Sequence, residues 1–120
     1  MMRPRKDAKP LIWLHGEIRT PPFSPLSRIE AGMLLRQLQN GERLGMPQSR
    51  PMPRIGISCH ELRLHSGDVS WRIIYSIDPD AIVILEVFAK RSRATPLSVI
   101  EVCKKRLAMY RRISATGPEK

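Results

Sequence analysis

Apolar residues recur along this chain with two different spacings, and the spacings predict its elements. Leu11-Ile12-Trp13-Leu14 is a short apolar run of strand type. Ser24-Pro25 has the form of a helix start, with Ser as cap and Pro where a missing N–H costs nothing. Ala31, Leu34, Leu35 and Leu38 then follow at i, i+3, i+4 and i+7, with Leu26 and Met33 widening the stripe. Asn40-Gly41 ends the helix, which spans roughly 25–40. The stretch Gly45 to Gly56 holds Pro47, Pro51 and Pro53 and reads as an irregular loop. From His60 to His65 the period becomes two, with Leu62 and Leu64 on one side and Glu61, Arg63 and His65 on the other. Ser66-Gly67-Asp68 turns the chain into Trp71–Ile77, where Trp71, Ile73, Tyr75 and Ile77 point inward and Arg72 and Ser76 outward. Asp78-Pro79-Asp80 turns it again into Ala81–Phe88, a strand buried on both faces at its centre. Thr95-Pro96 opens a second helix running to about Arg112, with Val99, Cys103, Leu107 and Tyr110 as its apolar face and Ile100 beside them. The expected order is strand, helix, three-stranded antiparallel meander, helix: a small α+β fold.

Length and composition narrow the function classes. The chain has 120 residues, one domain's worth, and 42% of them are hydrophobic. We expect a basic flexible arm over 1–10, a single domain over 11–113 and a flexible tail over 114–120. No apolar run approaches the ~18 residues of a membrane span. No signal-peptide core follows the basic N-terminus. Two cysteines are too few for a disulfide framework, which points to the reducing cytoplasm.

Charge sharpens the picture. The formal net charge is +10, which points to a polyanionic partner: nucleic acid, an acidic protein or an anionic membrane surface. Residues 11–88 carry eight arginines, no lysine and eight acids, so the surplus lies in the arm and the last quarter of the chain. The candidate chemistry is the set Arg63, Arg72, Lys90, Arg91 and Arg93. Arg63 and Arg72 fall on adjacent strands of one hairpin, and Lys90 and Arg91 leave the end of the next. Cations converging there make a phosphate site able to stabilise a phosphoryl transition state. The competing reading is a solvated network pairing Arg63 and Arg72 with Glu61 and Glu86. Proton-transfer candidates are His65, Glu61, His60 and Tyr75, of which Tyr75 shares the parity of the core. Cys59-His60-Glu61 matches no closed zinc pattern. Both cysteines read as core thiols, and Trp13 and Trp71 as core anchors.

Three hairpin segments carry a resemblance: Cys59-His60-Glu61-Leu62-Arg63, Trp71-Arg72-Ile73-Ile74-Tyr75, and Val87-Phe88-Ala89-Lys90-Arg91 followed by Ala94-Thr95-Pro96. In order and spacing they resemble the RelE/ParE toxin superfamily. His15-Gly16-Glu17-Ile18 and Arg50-Pro51-Met52-Pro53 are similar to its HigB-like, phage-derived branch. The resemblance covers roughly Trp13 to Tyr110. It implies a twisted sheet with helices packed on one face. It further implies the toxin of a type II toxin-antitoxin pair, acting in the cytoplasm beside a helix-turn-helix antitoxin.

RelE-like and HigB-like members cleave mRNA on the ribosome, using the mRNA 2′-OH as nucleophile and neither metal nor cofactor. Carried over, Arg72 holds the scissile phosphate with Arg63, and Arg91 with Lys90 stabilises developing charge. The family's acid–base position falls in Ala94-Thr95-Pro96, which holds no titratable group, so His65, Glu61 and His60 are the substitutes for proton transfer. A tyrosine usual in RelE-like enzymes is replaced by Leu97. Arg54, Arg93, Lys104, Lys105 and Arg106 are the expected RNA-binding residues. The ParE branch has the same fold, binds gyrase and cleaves no RNA, and a degenerate relic that only pairs with its antitoxin is a third reading.

Overall fold

Three strands of the hairpin region dominate the observed architecture. In the computed structural model, which describes residues 7–14, 23–91 and 93–116, the elements are β1 (Leu11–Trp13), α1 (Pro25–Gln39), β2 (Ser49–Pro51), β3 (Cys59–Arg63), β4 (Trp71–Asp78), β5 (Ala81–Ala89) and α2 (Leu97–Thr116). They form one five-stranded sheet of order β1-β5-β4-β3-β2. The β3–β4–β5 meander is antiparallel, as expected, and β1 joins it parallel to β5. The α+β class stands. The expectations placed on the start of the arm (1–6), on His15 to Pro22 and on the tail from 117 lie outside the described residues. Lys9, within the stretch assigned to the arm, is anchored: its N–H donates to the Gln39 carbonyl and its Nζ to the Asp78 carbonyl, each at 2.9 Å.

Three features correct the sequence reading. The first concerns the helices, which cover both faces of the sheet, not one. Ala31, Leu35 and Leu38 of α1 pack with Leu62, Ile73, Tyr75 and Ile84, whereas Ile100, Cys103 and Leu107 of α2 pack with Cys59, Ile74, Val83 and Leu85. Each fully buried Leu or Ile contributes roughly 1.5–3 kcal/mol. The alternation assigns Ile73 to one face and Ile74 to the other, so a sheet clad on both sides is what β4 demands. The second is β2, which forms inside the proline-rich stretch read as an irregular loop. It pairs with β3 at the sheet edge, where Pro51 costs no central ladder bond. The third is a bulge. Ile74 pairs with Glu86 but Tyr75 pairs with Ile84, so Leu85 has no opposite residue. Beyond this extra residue the parity of β5 reverses, placing Val87 under α1 and Phe88 under α2.

The helices are tied down by polar contacts as well. The Ser24 hydroxyl accepts from the Ser27 N–H, confirming the cap of α1. On α1 the inward residues are Ser27, Ala31, Leu35 and Leu38, while Leu26 and Met33, expected to widen the core stripe, are exposed. Glu30 Oε1 accepts from the backbone N–H groups of His65 and Ser66, both at 2.7 Å, docking the β3–β4 turn on α1. Gly67 in that turn has φ +88, and a Cβ there would meet the Ser24 and Ser27 hydroxyls at 2.6 and 2.7 Å, so glycine is required. On α2, Arg106 Nη1 donates to the Leu85 carbonyl and pairs with Glu86. Arg111 reaches Asp78, Ser58 and Ser76. No helix of the described residues is long and apolar enough to cross a membrane.

Candidate anion-binding site

The charged positions of the hairpin share the α2 face of the sheet. Arg50 pairs with Glu61 across β2 and β3, Glu61 with Ile74, and Arg63 with Arg72 across β3 and β4. Arg72 in turn sits opposite Phe88, and Lys90 follows at the end of β5. The bulge at Leu85 is what brings Phe88 and Lys90 to this face. Without it, Lys90 would fall on the side of α1.

Glu61 is the centre of the cluster. Its side chain is fully buried. Oε2 accepts from the Thr95 hydroxyl at 3.0 Å and lies 3.8 Å from Lys90 Nζ, and Oε1 lies 3.8 Å from Arg72 Nε. The latter separations are Coulombic contacts, too long for hydrogen bonds. Glu61 Oε1, Arg63 Nε and Arg72 Nε are buried without hydrogen-bond partners. One carboxylate therefore faces two cations, Arg72 and Lys90, with Arg63 opposite Arg72 and Arg50 opposite Glu61 in the strand register. Burial lowers the pKa of Arg72 from its usual value, as does Arg63, while Glu61 opposes the shift. Lys90 is lowered for the same first reason, burial, with Glu61 opposing and Arg72, Arg50 and Arg63 adding to the fall. Both shifts are led by burial, and neighbouring cations add to them. Such a site favours an added anion, since buried unsatisfied donors are costly and gain most from a charged acceptor.

The sequence reading put Arg72 outward and, in its competing form, Glu61 in a solvated network. Both are buried, and the Thr95 hydroxyl closes on Glu61. Arg72 and Lys90 side chains each keep 9% exposure and Arg63 is half-buried, whereas Arg50 is exposed at the cluster's edge. Glu86, which the competing reading paired with the hairpin arginines, pairs with Arg106. Thr95, expected to cap α2, gives its hydroxyl hydrogen to Glu61.

The remaining candidates are dispersed. Arg91 and Arg93 are exposed on the segment that follows Lys90. His65 is exposed beyond the end of β3, its backbone N–H held by Glu30. His60 belongs to the opposite face, stacked on Tyr75 at 5.4 Å with Nδ1 3.2 Å from the Ser58 carbonyl. Burial lowers its pKa, and Arg43 adds to the effect. The Tyr75 hydroxyl is buried against Ser49 Oγ at 2.6 Å, and burial raises its pKa. Lys104 and Lys105 are exposed on α2, whereas Arg106 is engaged with Leu85 and Glu86. Arg54 lines a cleft with Arg50, Met52, Ala94 and Thr95. Both cysteines are buried and unpaired, and burial pushes the Cys103 thiol up to about 12. Trp71 packs edge-on against Phe23, but Trp13, expected in the core, is 45% exposed. Among the described residues no three His, Cys, Asp or Glu side chains are grouped to hold a metal.

Fold and site together define a small basic α+β protein with an internally braced cationic cluster on one sheet face. The model of the phage-derived protein Gp49-like (DUF891) family matches residues 22–108, and the chain belongs to that family. The match spans α1, the meander and the first half of α2, and thus every residue of the Glu61 cluster. No curated protein matches the chain.

Proposed function

We propose that this protein is the toxin of a type II toxin-antitoxin pair and cleaves mRNA on the ribosome. The observation that carries the reading is the convergence of Arg72 and Lys90 on a single buried carboxylate with Arg63 directly opposite Arg72, which leaves cationic donors in excess. Membership of a phage-derived family and the resemblance of the hairpin motifs to the RelE/ParE superfamily support it. In the proposed reaction the 2′-OH of one nucleotide attacks the adjacent phosphorus, the bond to the 5′ oxygen of the next nucleotide breaks, and a cyclic phosphate forms. Arg63 and Arg72 hold the phosphate, and Lys90 with Arg91 offsets the charge that develops on it. Glu61, wholly buried, holds Arg72 and Lys90 in place and does not touch RNA. His65, exposed two positions beyond Arg63 in the chain, is the group left to exchange protons with the 2′-OH or the leaving oxygen. The exposed Lys104, Lys105, Arg54 and Arg93 supply salt-dependent attraction to ribosomal RNA. The partners on this reading are a helix-turn-helix antitoxin, the ribosome and mRNA, in the cytoplasm.

Inducible expression tests it. Growth arrest is expected with the native chain, rescued by the helix-turn-helix reading frame beside it, and relieved in a folded Arg63→Ala variant. Arrest undiminished in that variant overturns the site assignment.

A further inference from the structure

A cleft of about 240 Å³ opens against the Glu61 cluster, lined by Arg50 to Arg54 on one side and by Ala94, Thr95 and Ile100 on the other. Two residues belong to both places. Thr95 lines the cleft and donates to Glu61 Oε2. Arg50 lines it, pairs with Glu61 across the strands, and lies near enough to Lys90 to lower its pKa. The floor is apolar: Met52 and Ile100 are buried in the α2-side core, and Pro51 and Pro53 add rigid apolar walls. A cleft of this size falls below the ~300–1,000 Å³ of whole-ligand pockets, which suits one flat ring and not a larger body. An apolar slot lined also by the exposed Arg50 and Arg54, with an anion site next door, fits a nucleobase whose own phosphate is held by the cations.

We propose that this cleft is a base-binding subsite, and that it takes the base of a nucleotide bonded to the phosphate held by Arg63, Arg72 and Lys90. The inference rests on the RNA-cleavage reading of that cluster and adds to it a source of nucleotide preference. The β2 edge strand is what makes the subsite, because pairing with β3 fixes Arg50 and Pro51 beside Glu61. Stacking, not edge hydrogen bonding, dominates recognition here, so the preference follows ring size and shape.

The test compares three probes on the intact protein: inorganic phosphate, ribose 5-phosphate and adenosine 3′-monophosphate. Wild type is expected to bind the nucleotide about ten-fold more tightly than the sugar phosphate, the low end of what base stacking contributes. Ala94→Phe and Pro53→Tyr fill the cleft from opposite walls. Each is expected to abolish that advantage and leave phosphate affinity unchanged, with cooperative melting retained. Equal affinity for nucleotide and sugar phosphate in wild type overturns the subsite, as does an advantage that survives both variants. Failure of inorganic phosphate to bind at all overturns the anion site itself and the subsite with it, which separates the two failures.

Discussion

Arg63 and Arg72 stand directly opposite one another across β3 and β4. Like charges in that position destabilise a sheet. The protein tolerates them because Glu61, two residues before Arg63 and on the same face, presents its buried carboxylate to Arg72 and Lys90. A buried ion cluster is a poor way to gain stability but a strong constraint once present, since removing one partner exposes the repulsion of the rest.

Glu61→Leu is therefore expected to destabilise the fold by about 3–5 kcal/mol, read as a fall in urea midpoint. Adding Arg72→Met to it should recover part of that loss, because one of the stranded cations is removed with the carboxylate. A Glu61→Leu protein as stable as wild type would show that the cluster does not hold the site together.

The Arg111–Asp78 pair makes a different prediction. Arg111 Nη2 lies 3.0 Å from Asp78 Oδ1 and 2.7 Å from Ser58 Oγ, fastening the C-terminal half of α2 to the sheet. The Arg111 side chain is 47% exposed and that of Asp78 is 7% exposed, so solvent weakens the attraction. Arg111→Ala should cost about 1–2 kcal/mol. In a double-mutant cycle with Asp78→Ala the two losses should fall short of adding; full additivity would mean that the contact contributes nothing.

His60 gives the fold an acid sensitivity. Burial against Tyr75 lowers its pKa below 6.5, with Arg43 contributing, so the unfolded chain binds the proton more readily than the folded one. Stability is accordingly complete above pH 6.5 and falls as pH drops through 6.5 toward the lowered folded value. Chemical denaturation between pH 7.5 and 5 should show this loss in wild type and a smaller one in His60→Gln. Identical pH profiles would remove His60 from the explanation.

Much of the fold was legible in the chain, and the misses have physical causes. Ser24-Pro25 and the i, i+3, i+4, i+7 stripe located α1 because capping and burial act locally. Leu26 and Met33 misled because apolar identity does not set direction; the inward position beside them belongs to Ser27. The two-period pattern placed β3, β4 and β5, but an alternating pattern cannot reveal a residue inserted at Leu85, on which the face of Lys90 depends. The unbroken apolar run Ala81–Leu85 was a sign of cover on both faces, at odds with helices on one. Arg63, Arg72 and Lys90 were readable as a set from hairpin geometry. The burial of Glu61 was not, because it depends on Thr95 arriving from a distant segment. β2 was hidden by Pro51, which an edge strand accommodates.

The central claim is cleavage of mRNA by the cationic site, and mapping transcript ends after induction tests it most directly. Primer extension on abundant mRNAs should show discrete new 5′ ends that vanish when translation is blocked and when Arg63 and Lys90 are both replaced by Ala in a protein that still folds. Growth arrest with intact transcripts, or cuts that persist in the double variant, would contradict it.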